Sequence, residues 1–577
     1  MNSFRRIFRW LPLCLVLVSF SCERTLDEIN TSSNTLPDKE IDIKYVLTGV
    51  ITQSAKISTD IMYGGGELSA ATQYLQRDFT SYEENNYEWG GMGFATYYRP
   101  IKDSDYIYQR AGAEKTGEEK NYYQAVALIM KAYWYGFLTS AFGDVPYSKA
   151  MQAENGGSEF LKPTYDAQKD VFMGIMEDLK TANELLKSVT ICKSAVDADV
   201  MFRGDGAKWR RFANSLRLRY NIRLSEKSGA GISPSSEIKA MVSNKSEYPL
   251  MEANSDNAAI RFIGTDRVNS WLGGPINYSL RSEFYRRKPA ATIVNKLVSL
   301  NDPRLTAWIR PVDVQIVQGT TNEITLENGA VKRYTNLDIE GRNTDDIPEN
   351  DINTNLFVGL GIALSSPTQY NLANSVSAYR DKIAALDSKI YLGEAYNPHV
   401  SYLSDRYAQN TNPLVPAVLM SCAEVKFLLA EAAHRGWIDG GALTHYINGV
   451  KSSLEQHGIT DGAAKAVYDR KNNTLIAFDR ALYLSNIEKV YEGASNKLEP
   501  IMDQKWIALW MSGESWFDWR RVGLPDLNKN IISGSRGQNT PIRFWYEDAF
   551  NEKEMVQAVS KLVPATNNQW SKMWLLQ

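Results

Sequence analysis
The sequence predicts a mainly α-helical scaffold of packed helix pairs, interrupted by one long irregular insertion that carries loops and short strands. Apolar residues recur at spacings of three and four through about 115–225, and the same pattern returns through about 415–525. Between them, over about 226–414, that period fades and Gly, Pro, Asn and Ser become frequent.

In the first block, Tyr122, Val126, Ile129, Tyr133 and Phe137 share one face of a helix over 121–140, which Gly143 and Pro146 end. Phe172, Ile175, Leu179, Ala182 and Leu186 stripe a second helix over 167–186. A third opens near Asp205 and aligns Trp209, Phe212, Leu216 and Tyr220. Its Arg210, Arg211, Arg217, Arg219 and Arg223 are expected on a solvated or ion-paired face. In the second block Cys422, Val425, Leu428, Leu429, Ala432 and Ala433 form a stripe, Glu431 stands four residues before Arg435, and Gly436 is a stop signal. Further helices are expected over 441–457, 474–492 and 499–512. Antiparallel pairs of this length, with Ala and aromatic contacts, are similar to tetratricopeptide-type pairs. Residues 41–577 are therefore read as a single composite domain, with a β-type run at 330–334 inside the insertion.

The N-terminus carries Arg5, Arg6 and Arg9 before an apolar run over 11–20. That is the pattern of an export signal, too short to span a bilayer core of about 30 Å. The run closes on Ser19, Phe20, Ser21 and Cys22. A small residue directly before a cysteine at this place is similar to a bacterial lipobox, so residues 1–21 are expected to be a lipoprotein signal peptide and Cys22 its lipid attachment site. Polar residues 22–40 read as a tether, and membrane contact is expected through lipid alone. Cys192 and Cys422 are expected to be free, buried thiols.

A net charge of −3 over 577 residues gives no basic footprint for nucleic acid. The four histidines, His399, His434, His445 and His457, show no zinc-site spacing, and no phosphate loop or hydrolase elbow is present. Neither a metal nor a catalytic residue is expected. Asp345, Asp346, Glu349 and Asp351 cluster in a loop without EF-hand spacing, which favours a solvated loop over a calcium site.

Aromatic density is the feature that points to binding. Tyr82, Tyr87, Trp89, Phe94, Tyr97, Tyr98, Tyr106 and Tyr108 place eight rings in 27 residues, against 11% for the whole chain. Sugar rings stack their C–H faces on flat aromatic rings while amides and carboxylates take the hydroxyls. Phe94, Tyr97 and Tyr98 are expected in the core. Tyr82, Asn86, Tyr87 and Trp89 are the first candidate binding residues, and Trp271, in a second Gly- and Asn-rich stretch, is the other.

Several stretches carry a family likeness: LDEIN at 26–30, SAFGDVPYSKA at 140–150, KWRRFANSLRLR at 208–219, AEVKFLLAEAA at 423–433, and the segment from Gln504-Lys505-Trp506 to Trp519-Arg520-Arg521-Val522-Gly523. In this order they resemble the SusD/RagB family of outer-membrane nutrient-binding lipoproteins. The resemblance implies a helical-repeat protein that sits over a SusC-like, TonB-dependent outer-membrane barrel, presents glycan or peptide to it, faces the cell exterior and catalyses nothing. The residues alone leave two other readings open, a surface glycoside hydrolase and a helical-repeat envelope-assembly lipoprotein.

Overall fold
The structure, a computed structural model, describes residues 40–577 apart from 65, 79–84, 86, 230, 278–279, 322, 328–329, 336–351, 363, 365–366, 372–376, 387–391, 394–395, 528–538 and 548–551. The expected signal peptide, Cys22, the tether up to residue 39, Tyr82, Asn86 and the acidic loop of Asp345, Asp346, Glu349 and Asp351 lie outside the described residues.

Ten helices make the frame: α1 (Ile43–Thr59), α2 (Ala95–Glu114), α3 (Gly117–Phe142), α4 (Gln168–Leu186), α5 (Gly206–Arg223), α6 (Cys422–His434), α7 (Ala442–Gln456), α8 (Arg480–Gly493), α9 (Leu498–Ala508) and α10 (Glu514–Val522). The sequence sets several of their ends. Asp42, Asp205, Ser421 and Asp479 cap α1, α5, α6 and α8 by accepting from backbone N–H groups of the first turn. After α6 the chain reverses through Gly436, at φ +71°. Successive helices pack as pairs, α1 on α2, α2 on α3, α3 on α4, α4 on α5 and α6 on α7, and α9 lies against both α6 and α7. Gly136 lets α3 and α5 meet, because a Cβ there would sit 2.1 Å from Tyr220 Oη; Tyr220 donates instead to Ala132 O at 3.1 Å. By length and composition α3 passes for a membrane span, yet most of its apolar stretch is buried in this helical stack.

The insertion carries more helix than its composition suggests, with segments at Pro234–Ser243, Arg281–Arg286, Ala291–Ser299, Arg304–Trp308 and Ser377–Leu386. The nine-residue helix Ala291–Ser299 buries Ile293, Val294, Leu297 and Val298, a stripe too short to stand out among the surrounding Gly and Asn. The run at 330–334 is indeed a strand. It is central in a three-stranded sheet, parallel to Val314–Gln318 and antiparallel to Glu323–Glu327. The insertion leaves and rejoins the frame through one antiparallel pairing, Ala258–Ile260 against Ala417–Met420. The expected helix at 474–492 begins only at Arg480, because Thr474–Ile476 pairs with Val467–Asp469 as a hairpin.

The arginine run of α5 is the other departure. Arg217, Arg219 and Arg223 are buried, so the solvated reading fails for them and the ion-paired one holds. Arg219 clamps Glu424 of α6 through two bonds of 2.6 and 2.7 Å. It also lies 3.5 Å from Glu514 of α10, which pairs with Arg223. A second buried chain runs beside it: Arg521 to Glu431 at 2.5 and 2.7 Å, Arg521 to Asp518 at 3.1 Å, and Lys505 to Asp518 at 2.6 Å. Burial alone would lower the pKa of Arg219, but the carboxylates of Glu424 and Glu514 outweigh it and raise it. Cys192 and Cys422 are free and buried.

Removing one member of such a set leaves a buried charge short of its partner, which typically costs about 3–5 kcal/mol. Glu424→Gln should therefore lower unfolding stability by about that amount in urea titrations; a loss below about 0.5 kcal/mol would show that the clamp does not hold the frame.

Candidate ligand-binding site
Two loops of the insertion, 264–277 and 405–416, come together over the frame. Trp271 N donates to Asn412 O at 3.1 Å, and Asn277 Nδ2 holds Trp271 O at 3.2 Å. Gly264, at φ +73°, allows the closest approach, since a Cβ there would meet Pro413 Cδ at 2.5 Å. Beneath them opens a cleft of about 120 Å³, lined at one end by Trp271, Arg406, Tyr407, Gln456, His457 and Trp510. That volume holds roughly four waters at about 30 Å³ each, room for a small ligand group.

The wall is a connected series of rings. Trp271 packs edge-on against Tyr63 at 4.9 Å and Tyr407 at 5.5 Å between centroids. Trp510 Nε1 donates to Tyr407 Oη at 3.0 Å, and Trp510 stacks on Trp308 at 4.9 Å and 3°. Trp308 meets the His457 ring edge-on at 4.9 Å, and its Nε1 donates to His457 Nδ1 at 3.2 Å. An indole nitrogen can only donate, so His457 Nδ1 is an acceptor and the imidazole proton sits on Nε2. Burial, with repulsion from Arg406 and Arg304, lowers His457 to about 3, so the ring is neutral in ordinary conditions. Burial likewise raises Tyr407 to about 12, which keeps its hydroxyl protonated.

At the other end, Glu424 and Glu514 line the cleft beside Phe137 and Phe517. Their carboxylates are held by Arg219 and Arg223. Among the described residues no group of three or more His, Cys, Asp or Glu is arranged to hold a metal ion.

Of the sequence-derived candidates among the described residues, Trp271 alone lines this cleft, and it does so as a buried ring, 4% exposed, not as an open loop platform. Tyr87 and Trp89 are corrections. Each is 3% exposed. Trp89 packs on Trp516 and Phe544 at 5.9 and 5.8 Å, and C-terminal residues close over both: Gln569 Nε2 donates to Tyr87 O at 2.9 Å and Trp545 Nε1 to Trp89 O at 3.1 Å. Phe94 and Tyr97 are buried as expected. Arg406, Tyr407, His457 and Trp510 were not singled out as site residues. Trp510 sits in an expected helix within a family-like segment, and nothing local marks the other three, which meet only through the fold.

The chain matches, over residues 42–347 and 379–547, the sequence profile of a SusD-like family described as starch-binding and associating with the outer membrane. The chain belongs to this SusD-like family. Solved structures show the same fold at low identity. A candidate nutrient-binding outer-membrane protein of Bacteroides vulgatus is 24% identical, with a TM-score of 0.67, over 93% of this chain and 100% of the other. A SusD homologue of Bacteroides fragilis is 19% identical, with a TM-score of 0.67 and the same coverage. A chitin-binding SusD homologue of Flavobacterium johnsoniae is 20% identical, with a TM-score of 0.61, over 93% and 98%. No curated protein matches the chain. The SusD-like assignment agrees with the helical frame and with the resemblance carried by the sequence motifs.

Proposed function
We propose that this SusD-like protein captures glycan in the cleft under the 264–277 and 405–416 loops and passes it to a SusC-like, TonB-dependent outer-membrane barrel. The observation that carries the reading is the cleft itself, in which an aromatic wall and polar side chains converge between two loops that the helical frame holds in place. Chitin binding by a protein of the same fold supports glycan over oligopeptide. Binding without catalysis is supported by the state of the two carboxylates in the cleft. Glycoside hydrolysis needs one protonated carboxyl and one carboxylate free to act as base or nucleophile, whereas Glu424 and Glu514 are both committed to arginines.

Calorimetric titration of the full mature chain with a panel of oligosaccharides and oligopeptides tests the site. Trp271→Ala should weaken glycan binding by about tenfold in the folded protein, as loss of a buried aromatic contact does. Trp89→Ala should leave that affinity unchanged and lower stability by about 3–5 kcal/mol, the usual cost of emptying a large core site. The reverse pattern, with affinity following Trp89 and indifferent to Trp271, would move the site to the aromatic segment at 87–98.

We also propose that Cys22 carries the lipid that holds the protein on the outer membrane facing the exterior, in keeping with the family's outer-membrane association. Cys22→Ala should shift the protein from the membrane to the soluble fraction of disrupted cells, and Cys14→Ala, preceded by Leu13 inside the apolar run, should not. Equal retention of parent and Cys22→Ala would remove the anchor.

A further inference from the structure
His457, Tyr407 and Arg406, which line the cleft, each keep a donor after their protein partners are counted. Trp308 Nε1 occupies Nδ1 of His457, so the ring meets a ligand only with Nε2–H, which is buried and without a partner among the described residues. The hydroxyl oxygen of Tyr407 accepts from Trp510 Nε1, which leaves its O–H available as a donor. Arg406 can only donate. Its Nη2 holds Leu414 O at 3.0 Å, and among the described residues it forms no ion pair with a carboxylate. The other charges that line the cleft cancel: Glu424 and Glu514 face Arg219 and Arg223 at its opposite end. The Trp308 indole thus uses the acceptor position of the imidazole, the Trp510 indole uses one of the phenol oxygen's, and the remaining net charge is the Arg406 guanidinium.

Resting on the reading of this cleft as the glycan site, we propose that it selects glycans that carry an anionic group, carboxylate or sulfate, on the ring bound between Trp271 and His457. A neutral pyranose hydroxyl needs acceptors as well as donors around it, because each hydroxyl brings a proton of its own. An anionic oxygen accepts only, and so suits a cleft whose lining includes the Arg406 guanidinium, with no carboxylate ion-paired to it among the described residues, and the donors of Tyr407 and His457. Hydrogen bonds to an ionised acceptor are roughly twice as strong as neutral ones, and guanidinium matches carboxylate or sulfate geometry with two parallel bonds. The imidazole serves here as a neutral donor, so selection does not depend on its titration.

The test is calorimetric titration of the full mature chain with paired probes: an oligogalacturonide against its methyl ester, and a sulfated oligosaccharide against its desulfated counterpart. The acidic member of at least one pair should bind about tenfold tighter or better, and which pair responds tells carboxylate from sulfate. Arg406→Gln, at a partly exposed position, should remove that preference, read as the ratio of acidic to neutral affinity within the same variant; Tyr407→Phe should reduce it. Equal affinity for acidic and neutral members of both pairs, or a preference that survives Arg406→Gln, overturns the proposal and leaves the glycan-binding reading standing. Binding of no glycan at all overturns both.

Discussion
Arg219 and Glu424 meet inside the protein, and most of the architecture follows from that contact. Taking a guanidinium and a carboxylate out of water costs several kcal/mol each, and only close, fully bonded geometry offsets the loss. Here the guanidinium gives two bonds to Glu424 and a third to Leu419 O, and Glu514 and Arg223 continue the array. The partners come from α5, α6 and α10, separated by about two hundred and three hundred residues of chain. An apolar core tolerates sliding of one helix against another, whereas a two-pronged buried ion pair has one solution. The contact therefore sets where the second helical block docks on the first.

The binding cleft inherits its position from the same place. Glu424 and Glu514 form one end of it, and Leu419 belongs to the strand that carries the chain out of the insertion and into α6. Fixing that strand fixes the root of the 405–416 loop, which in turn holds the 264–277 loop through Trp271 and Asn412. The ring series from Trp271 to His457 is rigid because each member is braced by a stacked neighbour or an indole hydrogen bond. Preorganised donors of this kind cost little further ordering when a ligand arrives.

The frame was legible in the sequence because helix stripes are local. Most of the residues that repeat at three and four along 121–140 and 422–433 are buried in the core, while Tyr133 and Phe137 are half-buried and line the cleft, and several of the motifs that resemble the SusD/RagB family lie on helices of the frame. The site was legible only at Trp271. Tyr87 and Trp89 look like exposed rings among Asn, Glu and Gly, but Phe544, Trp545 and Gln569 close over them, a contact across some 450 positions that no local pattern announces. Arg217, Arg219 and Arg223 look like a charged face for the same reason, since their carboxylates are distant in sequence. His457 and Tyr407 have ordinary neighbours in the chain. Their significance comes from Trp308 and Trp510, which reach them through the fold.

The central claim is that the cleft under the two insertion loops is where ligand binds. Hydrogen–deuterium exchange of the full mature chain, with and without a saturating oligosaccharide drawn from the binding panel, tests it most directly. The account predicts slowed exchange in 264–277, 405–416 and the C-terminal end of α7, with the three-stranded sheet at 314–335 unchanged. Protection confined to that sheet, or to 87–98, with the two loops exchanging as fast as in the free protein, would contradict it.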